Sequence, residues 1–234
     1  MRDALPCPCA RRRRFLIASA AALPINAQAD ALTKAQRDAM SPDEIIEDMK
    51  HGNARFQKSE RKARNYLREQ RASAAGQYPA AVLLSCIDSR APAEVIMDLG
   101  IGDIFNCRGA GNVENDDILG SIEFACKLMG AKVVLVMGHT ACGTIKGAIA
   151  NVELGHLTQL LDRIKPAVQQ TRYDGERTAA NCAFVDAVAR TNVELTLATI
   201  RGDSPILAGL DREHMIKLAG AMYDLKTGAV DFFA

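Results

Sequence analysis

Val133 to Gly143 reads VVLVMGHTACG. Its opening, Val133 to Gly138, is the clearest buried strand in the chain, a short continuous apolar run. The chain reaches His139 at the end of that strand, and a helix is expected from about Cys142. Working outward, Val82 to Cys86 follows soon after Pro79 and reads as a second buried strand, with Ile104 to Arg108 as a third. Pro92 to Leu99 reads as a helix closed by Gly100, and Asp116 to Met129 as an amphipathic helix ending at Gly130. Leu157 to Thr171 and Ala183 to Arg201 read as two more helices. Ile216 to Tyr223 and Val230 to Phe233 read as final strands joined by a turn at Lys226 to Gly228. Strands alternating with helices imply an α/β fold, with a mostly parallel central sheet flanked by helices.

Upstream, Ser41-Pro42-Asp43-Glu44 is a helix start: a capping serine, a proline in the first turn, and acids at the positive end of the dipole. This helix belongs to an N-terminal helical arm. Arg55 to Arg71 is rich in charge and reads either as a solvated helix or as an arm that packs on a partner subunit. Further upstream, the basic run Arg11 to Arg14 precedes the apolar stretch Phe15 to Ile25 and the small-x-small pattern Ala27-Gln28-Ala29. That order is expected of a cleavable export signal over residues 1–29. Arg12-Arg13-Arg14-Phe15-Leu16 resembles a twin-arginine signal, which would place the protein in the periplasm or outside a bacterial cell. Residues 30–234 then form a single domain, with enough apolar content (48% of the whole chain) for one sizeable core.

The full chain carries 29 basic and 28 acidic side chains. Removal of residues 1–29 leaves 24 and 27, a net charge of −3, so a nucleic-acid partner is not expected. No run reaches the roughly 20 apolar residues of a membrane span. Cys7 and Cys9 fall in the signal, and Cys86, Cys107, Cys126, Cys142 and Cys182 remain. An odd number of cysteines in an oxidising compartment favours metal ligands and buried thiols over a disulfide framework.

In an open parallel sheet, ligands gather beyond the carboxyl ends of the strands. One such end here is Cys86-Ile87-Asp88-Ser89-Arg90, and another is Gly138-His139-Thr140-Ala141-Cys142-Gly143. If neighbouring strands carry them, Cys86, His139 and Cys142 can meet. Two thiolates and an imidazole form a normal zinc shell, and with water in the fourth position the arrangement is catalytic. His51, His156 and His214 have no such partners in sequence. Gly138 to Gly143 has the spacing of a phosphate-binding loop, but Thr144 stands where that loop needs lysine.

Cys86-x-Asp88-x-Arg90 followed by His139-x-x-Cys142 resembles the signature of β-class carbonic anhydrases. Gly100-x-Gly102-Asp103, Arg108-x-Ala110-Gly111-Asn112, Glu114-Asn115-Asp116 and Met222-Tyr223-Asp224 extend the likeness from about Ser41 to the C-terminus. The resemblance implies hydration of CO2 to bicarbonate, with Zn2+ held by Cys86, His139 and Cys142. Asp88 and Arg90 would be the catalytic dyad beside the metal. In an open form Arg90 holds Asp88 away from the metal; in a closed form Asp88 becomes the fourth ligand. A homodimer or dimer of dimers is also implied. The same metal chemistry would suit a related hydrolase of carbon disulfide or carbonyl sulfide, and a non-catalytic zinc-stabilised bicarbonate-binding module shares the ligand set. Two departures stand out. Gly109 occupies a position that more often carries a branched apolar residue in relatives, and glycine there would leave a gap or loosen the loop near the site. The inhibitory bicarbonate site of some members needs a tryptophan that this chain lacks: Leu83 stands in its place, beside Arg108 and Tyr223.

Overall fold

β3 (Val133–His139) runs through the middle of the sheet and is buried along its whole length. β1 (Ala81–Ser85) lies on one side of it and β4 (Lys217–Tyr223) on the other, both parallel to it. β2 (Ile104–Arg108) pairs in parallel with β1, and β5 (Val230–Phe233) turns back antiparallel on β4. The sheet order is therefore β2-β1-β3-β4-β5. These coordinates are a computed structural model, and they describe residues 31–233. The proposed signal, 1–29, lies outside the described residues.

Successive side chains of a strand point to opposite faces, and three apolar layers result. Leu83, Leu135, Met137 and Ala221 meet Ile45, Ile46 and Met49 of α2 (Pro42–Gln57). α1 (Lys34–Ala39) precedes α2 in the N-terminal arm. Val82, Leu84, Val134, Val136 and Leu218 meet Ile122, Cys126, Val193, Leu197 and Leu207 on the other face. Cys86 and Cys142 join a third cluster with Ile145, Ile164, Phe184 and Val188 at the carboxyl end of the sheet. Gly52 is where α2 comes closest: a Cβ there would overlap Met97 O. Within this one chain the arm thus lies on its own sheet, tied by Lys132 Nζ donating to Asp38 O and Met40 O.

The expected start of α2 is present, with Ser41 and Glu44 forming a reciprocal capping box. The charged stretch behind it differs from expectation. It is not one continuous helix: α2 ends at Gln57, Ser59 takes a left-handed φ of 59°, and α3 (Tyr66–Ser73) begins only after the chain has folded back. The turn buries charge instead of solvating it. Asp98, with no side-chain exposure, accepts from Arg55 Nε at 2.6 Å and from Lys62 N at 3.1 Å. Arg64 Nη2 donates to Asp98 O, while Arg64 Nη1 reaches Glu69 Oε1 at 3.2 Å. Glu69 Oε2 in turn accepts from Ile101 N. Asp98 therefore anchors the arm next to the amino ends of β1 and β2.

The helix expected over Pro92–Leu99 shrinks to one turn, α4 (Ala93–Ile96), because Asp98 takes a left-handed φ of 50°. α5 (Asp116–Glu123) continues as a wider π turn through Phe124–Leu128 before Gly130. α6 (Gly143–Ile149), α7 (Gly155–Gln170) and α8 (Cys182–Asp203) lie close to their expected places. α9 (Pro205–Arg212), started by Ser204 and Pro205, was not expected from the sequence. Among the described residues no helix is long and apolar enough to cross a membrane.

Candidate metal centre

β1 and β3 are neighbours in the sheet, so the chain leaves both at the same carboxyl end. Cys86 follows β1 directly, and His139 is the last residue of β3. Cys142 is the N-cap of α6. The structure brings these three together: their ligand atoms all lie within 4.8 Å of one another, and each residue is 3% exposed or less. They form the one such buried cluster among the described residues, and His51, His156 and His214 stand outside it.

Each donor is prepared by its surroundings. His139 Nδ1 lies 2.9 Å from Thr140 O, which can only accept, so the proton sits on Nδ1 and the lone pair on Nε2. Nε2 is buried and has no hydrogen-bond partner. An orphaned buried lone pair is costly in a native fold unless something fills the gap. Gly111 N donates to Cys86 Sγ at 3.3 Å. The neighbouring Cys142 thiol, the His139 ring and that N–H together hold the Cys86 thiol down to about 4. Cys142 is pushed up, first by its hydrogen bond to Cys86 and then by burial. The pair thus gives up its first proton readily and its second reluctantly. A dication resolves that conflict, because it neutralises both thiolates at once. The donor set fits a tetrahedral metal with one position left over.

Asp88 and Arg90 form a two-pronged pair at the rim. Arg90 Nε reaches Asp88 Oδ1 at 3.0 Å and Nη2 reaches Oδ2 at 2.7 Å, while Arg90 N also donates to Oδ1. This pairing holds Asp88 well below the usual carboxylate range. Asp88 Oδ2 lies 3.8 Å from His139 Nε2, so the carboxylate borders the ligand cluster. Arg108 donates to Cys86 O and to Asp88 O, fixing the backbone that carries both side chains. A shallow open pocket over the cluster is lined by Cys86, Ile87, Asp88, Arg90, Gly143 and Thr144.

The family model for carbonic anhydrase matches residues 81–230. Carbonic anhydrase 2 of Mycobacterium tuberculosis is 32% identical over 186 residues, covering 77% of this chain and 87% of its own. This chain belongs to the β-class carbonic anhydrase family. A carbonic anhydrase of Pseudomonas aeruginosa is 30% identical over 201 residues, covering 80% of this chain and 86% of its own. Among solved structures, the β-carbonic anhydrase CafA of Aspergillus fumigatus shares 28% identity with a TM-score of 0.61, over 68% of this chain and 77% of that one. The β-carbonic anhydrases of Sordaria macrospora, described as tetrameric, match with a TM-score of 0.61 at 24% identity over 68% of this chain and 82% of that one. As a carbonic anhydrase, the chain is a carbonate dehydratase.

Two residues that shape this carbonic anhydrase site, Asp186 and Asn192, were missed in the sequence. Asp186 Oδ1 accepts from Ala141 N at 2.7 Å, and Asn192 Nδ2 donates to Gly111 O at 2.8 Å, both from α8. Gly111 needs to be glycine: its φ is +67°, and a Cβ would come within 2.7 Å of Ile164 Cδ1. Ala141 (φ 54°) and Asn112 (φ 46°) share that left-handed geometry although each carries a Cβ. Gly109 is different. Its φ of −136° is ordinary extended backbone, and a Cβ would meet only Val113 O at 3.5 Å. Gly109 N donates to Ser85 O, so it continues the β1–β2 ladder. Gly109→Ala should therefore stabilise the protein by about 0.4–1 kcal/mol, mainly by restricting the unfolded chain. A calorimetric melt should rise by roughly 1–4 °C, and a fall would show that the loop needs the missing side chain.

The five cysteines of the described residues are all free. Burial pushes the Cys107 and Cys126 thiols up, Cys126 to about 12, so both behave as apolar packing groups, in the cluster with Val82 and Leu84 rather than in the one that holds Cys86.

Proposed function

We propose that the chain is a zinc-dependent carbonic anhydrase that reversibly hydrates CO2 to bicarbonate and a proton, with Cys86, His139 and Cys142 as the zinc ligands. The observation that carries this reading is the buried Sγ, Nε2, Sγ cluster with its unpartnered His139 Nε2. When bound there, zinc lowers the pKa of a coordinated water to about 7.

The chain's own residues supply the rest. Asp88, kept ionised by Arg90, offers Oδ2 as a hydrogen-bond acceptor at the rim of the cluster. It can hold the proton of the attacking water and so turn the oxygen lone pair toward CO2. Arg90 engages both carboxylate oxygens, a pairing that would keep Asp88 off a bound metal and supports the open form. Ile87, 60% exposed at the pocket mouth, presents an apolar surface to an uncharged linear substrate.

Stopped-flow hydration of CO2 by the zinc-loaded protein, from about pH 7 to 9, tests the reading. Fast hydration at one zinc per chain is expected. No hydration at any pH, with zinc bound, would overturn catalysis on CO2 and leave carbon disulfide or carbonyl sulfide as substrates, or a non-catalytic site.

We also propose a homodimer or dimer of dimers. Among the described residues β2 is an open sheet edge, and Phe124, which packs on Phe105 of that strand, is 46% exposed, with Leu128 of the same π turn 74% exposed. An unpaired edge flanked by apolar side chains suits a second copy of the chain. The tetrameric relatives from Sordaria macrospora support it. Light scattering that finds only monomer at micromolar concentration would overturn it. Export through residues 1–29 rests on the arginine run and the apolar stretch behind it. Replacing Arg12, Arg13 and Arg14 by lysine should trap the protein in the cytoplasm, and unchanged export would sink the twin-arginine route.

A further inference from the structure

Between His139 and Cys142 lies one peptide unit with two hydrogen bonds on opposite sides. Its carbonyl, Thr140 O, accepts from His139 Nδ1 at 2.9 Å. Its amide, Ala141 N, donates to Asp186 Oδ1 at 2.7 Å. Thr140 is fixed separately: its N donates to Tyr223 O, and its Oγ1 accepts from Leu225 N. Ala141 sits at φ 54°, a left-handed conformation that is unfavourable for a residue with a Cβ. Such strain persists only where neighbours hold it, and the hydrogen bond that Ala141 N donates to Asp186 is the contact that points at it.

We propose that Asp186 is a positioning residue of the metal centre, acting on His139 through the Thr140–Ala141 peptide. This rests on the reading that Cys86, His139 and Cys142 hold zinc. A carboxylate on the amide side polarises the peptide and makes Thr140 O a stronger acceptor, because hydrogen bonds in a chain reinforce one another. A stronger acceptor at Nδ1–H makes Nε2 a better electron donor and fixes the plane of the ring. Metal-ligating histidines commonly receive this support from a carboxylate or a carbonyl directly. Here the two are in series, with the carboxylate acting through the carbonyl's own peptide. The same contact sets the turn that aims Cys142, so one side chain on α8 governs two of the three ligands. Asp186 sits on the 22-residue α8, a rigid support set apart from the loop it holds.

The test is Co2+ binding to the metal-free full chain, read from the thiolate-to-cobalt and d–d absorption bands with a competing chelator. Asp186→Ala is expected to bind Co2+ about 10–100-fold more weakly than wild type, with displaced d–d bands. Asp186→Asn keeps an acceptor oxygen and should recover to within about threefold. An alanine variant that binds like wild type, with unchanged bands, overturns the inference, as does an asparagine variant no better than alanine. Should the alanine variant fail to fold, the proton resonance of His139 Nδ1–H in zinc-loaded Asp186→Asn decides. It should move upfield as the carboxylate charge is lost, and an unmoved resonance overturns the relay. Wild-type protein that binds no Co2+ overturns the zinc reading and this inference together, whereas normal wild-type binding with an unaffected alanine variant overturns this inference alone.

Discussion

Cys142→Ser should lose CO2 hydration by at least about a thousandfold, because a serine hydroxyl does not replace a thiolate as a zinc ligand. Cys142 is 2% exposed and caps α6, so serine is close in size and keeps the backbone that caps the helix. The loss should come with loss of zinc, measured as metal per chain after dialysis. Asp88→Asn provides the contrast. It removes the negative charge and one of the two carboxylate oxygens at the rim while leaving Cys86, His139 and Cys142 in place, so zinc should stay and the rate should fall by roughly 10²–10⁴-fold. A Cys142→Ser protein that keeps both zinc and rate would mean that the buried cluster is not where the reaction occurs.

Asp98→Ala should destabilise the protein by about 3–5 kcal/mol, the typical cost of removing one partner from a buried ion pair. Asp98 has no exposed side-chain surface, pairs with Arg55 and accepts from the Lys62 amide. Its loss leaves Arg55 without its buried carboxylate and uncouples the returning segment 58–65. Alanine adds a further cost, because this position has a φ of 50°. The melting temperature should fall by roughly 6–20 °C. Asp98→Asn tolerates the left-handed backbone better and should fall between the two. A shift under about 2 °C for alanine would show that the charge cluster contributes nothing net. Hydration by the surviving folded fraction should be unchanged, since Asp98 lies by the amino ends of the strands and the metal ligands lie by the carboxyl ends.

The middle of the sheet was legible because its strands are buried on both faces and so read as largely apolar runs. β1, β3 and β4 are the clearest cases. The ligand triad was legible for a related reason: Cys86 and His139 sit directly at strand ends and Cys142 only three residues past one, where sequence position nearly fixes spatial position. What was not legible depends on contacts between distant segments. The return of the chain at Ser59 is set by Asp98, about 40 residues on, and nothing local distinguishes Arg64 from a solvated arginine. Asp186 meets Ala141 across 45 residues. On its own helix Asp186 looks like any surface acid. α9 carries the same serine-proline start as α2, but its eight residues are too few to show a period. At Gly109 the sequence pointed to a gap or a loosened loop, and the structure shows room for a side chain on extended backbone that does not require glycine.

The burial of the three ligands has a consequence for how long the protein lasts. Cys86 and Cys142 belong to the same apolar cluster as Phe184 and Val188, so the ligand set is assembled only when that part of the core is packed. Any free energy released by the metal is therefore added to the folded state by mass action. A free-zinc level a thousandfold above the dissociation constant would contribute about 4 kcal/mol. Much of the enzyme's resistance to heat and proteolysis would then depend on the zinc supply of the compartment it occupies. Scarcity of the metal would lower the amount of enzyme as well as the activity of each molecule.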